Sequence, residues 1–217
     1  MRMGKLILLR HGQSEWNKKN VFTGWIDISL SPKGIEEALI AGDKIKAIPI
    51  DLIYTSTLIR ASMTALLAMT KHESKKIPAI VHDSPWYQLP EGLDLIPTII
   101  AEELNERMYG DLQGKNKQMI KEQFGEEQFI KWRRSYAIAP PNGESLKMTA
   151  ERVLPYFDNQ IMPKLKEGKN ILIAAHGNSL RSIVMELDSL SEQEVVSLEI
   201  PTGEPIVYTY ENGTFIK

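Results

Sequence analysis

The chain has 217 residues, 42% hydrophobic and 25% charged, enough to bury a sizeable core and consistent with one domain over 1–217. Its 26 Lys and Arg against 28 Asp and Glu leave a net charge of −2, so no global basic field points to nucleic acid or a membrane surface, and any anion site has to be a local cluster. The absence of cysteine removes disulfides, a thiol nucleophile and thiolate metal ligands together, and agrees with a reducing, cytoplasmic setting.

The first apolar run, Leu6-Ile7-Leu8-Leu9, is too short for a signal peptide or a membrane span of ~18 apolar residues. It reads instead as a strand over 5–9, buried on both faces of a parallel sheet and ending in Arg10-His11-Gly12. Ser31-Pro32 is a helix start, with Ile35, Leu39, Gly42 and Ile45 on one face. A second strand over 51–54 precedes a helix beginning near Thr55-Ser56, with Leu58, Ser62, Ala65 and Met69 down one side. From 146 to 165 the apolar spacing is helical, but Pro155 and Pro163 should kink or divide it. A third strand over 170–175 ends in His176-Gly177, and Leu180, Ile183, Val184 and Leu187 mark the helix that follows. A late strand over 206–210 runs into a turn at Glu211-Asn212-Gly213. Alternating strands and helices predict an α/β architecture with helices on both faces, in which ligands collect beyond the carboxyl ends of the strands.

That architecture would bring His11 and His176 to one sheet edge. Each is followed by glycine, a polar residue and serine, Gly12-Gln13-Ser14 and Gly177-Asn178-Ser179, corners whose free backbone N–H groups suit phosphate. Arg10, and Arg60 early in the second helix, would add guanidinium forks matching phosphate oxygens. Two histidines, two arginines and no metal-ligand set point to phosphoryl transfer through a histidine nucleophile. Glu106, in the segment ELNERMYGDLQG, is the favoured proton donor over Glu103 and Asp111, provided burial or a nearby phosphate raises its pKa. Taken singly, these features have plainer readings: one His-Gly corner is usually structural, Glu106 a surface carboxylate, Lys117 an exposed lysine, and Trp132-Arg133-Arg134 a solvated helix face with a core tryptophan. His72 and His82 lie in polar context and receive no role.

The two His-Gly corners resemble those of the histidine phosphatases. The set LLRHGQSEWN, FTGWIDISLSPKG, YTSTLIRA, ELNERMYGDLQGKNK, WRRSYAIAPP, IAAHGNSLR and IPTGEPIVY, which covers most of the chain in order, is similar to the 2,3-bisphosphoglycerate-dependent phosphoglycerate mutases of that superfamily. The resemblance implies a three-layer αβα fold with a mostly parallel central sheet. It implies His11 as the phosphorylated nucleophile, Glu106 as proton donor and acceptor, and His176 as stabiliser of the phosphoryl group in flight. Arg10, Ser14, Asn17 and Arg60 would hold the transferred phosphate, with Gly12 and Gln13 beside them. Thr23, Gly24, Arg107, Tyr109, Lys117, Arg133 and Arg134 would grip the rest of the substrate, and Gly177 and Asn178 would complete the cradle. The implied partners are small phosphorylated three-carbon acids, with 2,3-bisphosphoglycerate as primer, no metal, and a homo-oligomer as the favoured assembly.

The chain departs from that family pattern in a short loop after Pro140-Pro141, in Met108 where a histidine is common, in a longer segment 82–103 with Trp86, Pro90 and Pro97 unplaced, and in a tail ending at Phe215-Ile216-Lys217. A shorter loop and tail would open the site to water and raise phosphatase activity. The alternatives to a mutase are therefore a phosphatase of small phosphomonoesters using the same nucleophile, disfavoured by Lys117, Arg133 and Arg134, and a non-catalytic phosphate-binding module, disfavoured by the presence of all three catalytic residue types.

Overall fold

The structure, a computed structural model, describes residues 3–82, 84, 87–88 and 91–217. In chain order its first half runs β1 (Gly4–Arg10), α1 (Glu15–Lys18), α2 (Pro32–Ile45), β2 (Leu52–Thr55), α3 (Ile59–Met69), β3 (Ile77–Ile80) and β4 (Leu95–Ile100). After short 3-10 turns come α4 (Lys117–Phe124), α5 (Glu126–Arg134), α6 (Leu146–Tyr156), α7 (Met162–Lys166), β5 (Ile171–Ala175), α8 (Gly177–Leu187), α9 (Glu192–Ser197), β6 (Pro205–Glu211) and β7 (Thr214–Ile216). The strands form one sheet in the order β3-β4-β2-β5-β1-β6-β7. The pairs from β3 to β1 are parallel, while β6 and β7 close one edge as an antiparallel hairpin.

Because successive side chains in a strand point to opposite faces, β1 supplies both halves of the core. Leu6 and Leu8 pack with Val153, Phe157, Ile161 and Leu165 and with Leu180, Ile183 and Val184 of α8. Ile7 and Leu9 pack on the other face with Ala41 and Ile45 of α2 and Ala65, Ala68 and Met69 of α3. Helices thus cover both faces of a mostly parallel sheet. A satellite cluster of Phe22, Leu112, Ile120, Phe129 and Trp132 ties α4 and α5 to the loop after α1. No helix among the described residues is long and apolar enough to cross a membrane.

Several local expectations shift for identifiable reasons. The inner face of α2 is Gly34, Ala38, Ala41, Gly42 and Ile45 rather than a face through Ile35 and Leu39. Small residues are required there because α2 lies close against α3, where a Cβ at Gly42 would sit 2.4 Å from the Ala68 carbonyl oxygen. The helix expected near Thr55-Ser56 begins at Ile59, since Thr55 ends β2 and the Ile59 N–H donates to Asp27 Oδ1 at 2.7 Å, a cap supplied from a distant loop. Between 146 and 165 the backbone does not break: a π-helical turn over Phe157–Ile161 follows Pro155, and Pro163 falls in the first turn of α7. Pro97 lies in β4, and the β2–β4 ladder starts one residue later at Ile53 and Thr98, past the nitrogen that has no hydrogen to donate. Trp86 and Pro90 lie outside the described residues. The late hairpin turns on Asn212 and Gly213, both with positive φ, as a two-residue connection between right-twisted strands demands.

Candidate active site

Parallel pairing sets Arg10 beside Ala175 and Thr55 beside Ala174, so His11, His176 and Ser56 follow at one carboxyl edge of the sheet. The His11 N–H donates to Ala175 O at 3.0 Å, and the two imidazole centroids lie 5.0 Å apart, tilted by 59°. His11 Nδ1 sits 2.6 Å from the Gly12 carbonyl oxygen, which can only accept. The proton is therefore on Nδ1, and Nε2 keeps its lone pair. Burial, reinforced by the Arg60 and Arg10 charges, holds His11 well below the ordinary imidazole range. His176 is held down likewise by burial, Arg60, His11 and Arg10. Both rings are neutral at pH 7.

A cavity of about 140 Å³ opens in front of His11. Arg10, Asn17, Thr23, Gly24, Arg60, Glu106, Tyr109, Lys117, Arg133, Arg134, Gly177 and Asn178 line it, together with Val21, Phe22, Arg181 and Glu199. Six cationic side chains (Arg10, Arg60, Lys117, Arg133, Arg134, Arg181) thus face two carboxylates (Glu106, Glu199), an excess suited to a multiply charged anion. Among the described residues Arg60 is bound by carbonyls alone, Ile26 O at 3.1 Å and Gly24 O at 2.7 Å, with no direct ion pair to neutralise its charge. Burial brings its pKa down to about 10, which leaves it charged at pH 7. Burial also lowers Lys117, whose Nζ stands 5.6 Å from the Phe22 ring centroid. Arg10 Nε, Thr23 Oγ1, Arg107 Nε and His176 Nδ1 are buried without hydrogen-bond partners. Buried donors left unpaired are costly, and for Arg10 Nε and Thr23 Oγ1, whose residues line the cavity, an anion with several acceptor oxygens is the kind of ligand that satisfies them.

Glu106 is fixed asymmetrically. Its Oε1 accepts from Arg107 N at 2.8 Å, Asn178 N at 3.1 Å and Asn178 Nδ2 at 3.0 Å. The orientation of the Asn178 amide follows from Arg181, a pure donor whose Nη1 reaches Asn178 Oδ1 at 3.2 Å and so turns the NH₂ toward Glu106. With Oε1 saturated, Oε2 is the oxygen left to take or give a proton, and a Cβ at Gly177 would lie 3.7 Å from it. Burial pushes the Glu106 pKa up, but the Arg107 N–H, Arg10, Asn178 and Arg60 together hold it below the usual carboxylate value. Burial alone therefore does not raise the pKa in the way a proton donor requires: without substrate, Glu106 is a carboxylate. Its backbone is also braced, since Glu106 O accepts from Trp25 Nε1 at 2.5 Å and Arg152 Nη2 at 2.9 Å. Arg152 Nε and Nη2 in turn each donate to the Glu144 carboxylate at 2.9 Å. Glu144 exchanges further bonds with the Met108 backbone, so the short loop after Pro141 pins the Glu106 segment.

Five expected site residues lie outside the cavity lining. Gly12 serves packing, since a Cβ there would meet Gly34 O at 2.1 Å, and Gln13 Oε1 accepts from Ser31 at 3.0 Å. Ser14 Oγ caps α1 by accepting from Asn17 N at 3.1 Å. Arg107 stacks on Tyr109 at 4.6 Å and donates to Arg133 O at 3.2 Å. His176 is fully buried, beside His11. Trp132 is in the satellite core while Arg133 and Arg134 face the cavity, so both readings of that triplet hold in part. Sequence reasoning missed Arg181 and Glu199. Arg181 carried a signal, three residues after Asn178 on the same helix face; Glu199 carried none.

The chain matches the family model of the histidine phosphatase superfamily (branch 1) over residues 6–84 and 87–216. It is 61% identical over 220 residues to a Chlamydia muridarum protein named 2,3-bisphosphoglycerate-dependent phosphoglycerate mutase, covering 99% of this chain and 97% of that one. A protein of the same name from Chlamydia pneumoniae is 59% identical over 217 residues, covering 97% and 95%. Among solved structures, Bacillus stearothermophilus YhfR superposes with a TM-score of 0.79 at 26% identity, over 98% of this chain and 94% of that chain. A neutral histidine at the end of β1, a second beside it at the end of β5 and a cation-lined cavity before them thus occur in a chain matched nearly end to end, and the protein belongs to branch 1 of the histidine phosphatase superfamily.

Proposed function

We propose that the protein interconverts 2-phosphoglycerate and 3-phosphoglycerate through phosphorylated His11. 2,3-Bisphosphoglycerate, when bound, supplies the phosphoryl group that primes His11. His11 Nε2 carries the phosphoryl group, and the Gly12 carbonyl, accepting from Nδ1–H, stabilises the positive charge that develops on the ring. Glu106 Oε2 takes the proton from the substrate hydroxyl as that oxygen attacks phosphorus and the N–P bond breaks. In the reverse half, the same oxygen returns a proton to the leaving alcohol as the N–P bond reforms. Arg10 and Arg60 neutralise charge on the phosphoryl oxygens in flight. Lys117, Arg133 and Arg134 hold the distant anionic groups, which keeps the bisphosphorylated intermediate in place while it reorients.

The observation that carries this reading over a phosphatase is the excess of cations around the cavity beyond Arg10 and Arg60, more than one phosphate requires. The roughly 60% identity to mutases supports it independently. The test is to incubate the protein with 2,3-bisphosphoglycerate, find acid-labile phosphate on His11, and then offer 3-phosphoglycerate or water. Transfer to 3-phosphoglycerate should greatly outpace loss to water; rapid loss to water would favour a phosphatase, and no labelling a binding module. No cluster of three or more His, Asp or Glu suited to a metal occurs among the described residues, and the reaction is expected to survive EDTA.

A further inference from the structure

Ser56 lies just past β2 and is fully buried, and it belongs to none of the groups assigned above. Its Oγ accepts the Leu58 backbone N–H at 3.1 Å and stands 2.7 Å from His176 Nε2. Two proton arrangements satisfy that short contact. In one, the serine hydroxyl donates to Nε2 and the imidazole proton is on Nδ1. In the other, Nε2–H donates to Oγ, the serine proton has no acceptor, and Nδ1 is a bare acceptor buried without a donor. The first arrangement leaves one unpaired group, a donor; the second leaves two. Arg60, His11, Arg10 and Arg152 provide the charged and polar surroundings of this ring, and neither they nor the Ser179 backbone N–H in the first turn of α8 makes a hydrogen bond to Nδ1.

We infer that Ser56 is a positioning residue that sets the tautomer of His176, so that Nδ1–H is presented as a hydrogen-bond donor for the phosphoryl group held on His11. The inference deepens the proposed phosphoryl transfer and rests on it for the identity of the acceptor, but not for the tautomer. A neutral imidazole contributes to transition-state stabilisation only if its hydrogen faces the developing charge. Ser56 meets that condition without touching substrate.

The test uses the full chain labelled with ¹⁵N-histidine, with His176 assigned by loss of its signals in His176→Asn. Two-bond ¹H–¹⁵N correlation at pH 7 should report His176 protonated on Nδ1, and adding inorganic phosphate should shift that Nδ1–H resonance. In Ser56→Ala the His176 nitrogens should move toward tautomer-averaged values, with kcat falling about 10- to 100-fold and KM changing less than about threefold. An Nε2-protonated His176 in the unsubstituted protein overturns the inference, whether or not Ser56→Ala folds, and so does a folded Ser56→Ala with unchanged kcat. Should the proposed reaction itself fail, with no phosphate on His11, the spectrum without phosphate still decides the tautomer.

Discussion

Replacing Asn178 by alanine tests how the protein sets the acidity of Glu106. The substitution removes the side-chain donor to Oε1 at 3.0 Å and leaves the two backbone donors, Arg107 N and Asn178 N, in place. A hydrogen bond to a charged group contributes about 1.5–3 kcal/mol, and each pKa unit corresponds to about 1.36 kcal/mol, so the Glu106 pKa should rise by about one to two units. The sign is fixed because the lost bond favours the carboxylate. With the His11-phosphorylated protein and 3-phosphoglycerate, Glu106 is the proposed base, and kcat/KM should fall on the acid side as it protonates. The assay is the pH dependence of kcat/KM for transfer from labelled phosphohistidine. In Asn178→Ala the acid limb should move to higher pH by that amount. A limb that stays in place or moves down refutes the reasoning and removes Oε1 saturation as the source of the lowered pKa.

Three other perturbations probe the frame around the site. Arg152→Met leaves the partly buried Glu144 carboxylate without its cationic partner and takes one donor from Glu106 O, and should cost about 2–4 kcal/mol of unfolding free energy in urea titrations. His11 and His176 are neutral when folded but titrate near 6.5 when unfolded, so below that pH the unfolded chain binds more protons. Stability should therefore fall as pH drops below about 6.5, by up to about 1.4 kcal/mol per pH unit per histidine, and His176→Asn should flatten that slope in urea titrations across pH. Glu199 engages Arg134 at the cavity wall with its side chain 64% exposed, so it competes weakly with an incoming anion. Glu199→Gln should tighten 2,3-bisphosphoglycerate binding several-fold in calorimetry at low ionic strength, an effect lost at about 1 M salt.

The central strands were legible because strands buried on both faces are written as unbroken apolar runs, as in Leu6 to Leu9 and Ile171 to Ala175. β3 and β4 were not, since Pro78 and Pro97 interrupt them and Ile77 and Ile100 are exposed, so neither the composition nor the burial pattern of a central strand is present. Of the cavity residues, Arg10, His11 and the Gly177-Asn178 corner were visible as residue types at strand ends, whereas Lys117, Arg133 and Arg134 read as solvated side chains until the family resemblance assigned them to the substrate. The residues that act through others were not visible: Ser56 and Arg152 acquire their partners only when β2, β5, α6 and the Glu106 segment come together. Gly12 illustrates the converse error. A glycine beside a histidine suggests ligand approach, yet here it admits the backbone of α2, and the glycine that leaves room before Glu106 and Arg10 is Gly177.

In the proposed transfer one carboxyl group removes a proton in one half of the reaction and returns it in the other, and the charge inventory of the cavity gives a physical route to both. Six cations against two carboxylates leave a formal excess of four positive charges around Glu106, and in that field, with Oε1 saturated, the carboxylate form is favoured, as a base requires. Each phosphate brings about −1.5 to −2, so the bisphosphorylated intermediate, with its carboxylate, carries about −4 to −5 and matches that excess. The cations that lowered the Glu106 pKa are then engaged by phosphate, the desolvation that raises it persists, and the carboxyl becomes a competent acid without changing position. A single phosphate with its carboxylate leaves part of the cationic excess unmatched. In the proposed transfer, the same excess that grips the intermediate thus sets Glu106 to act as base before it forms and as acid once it has.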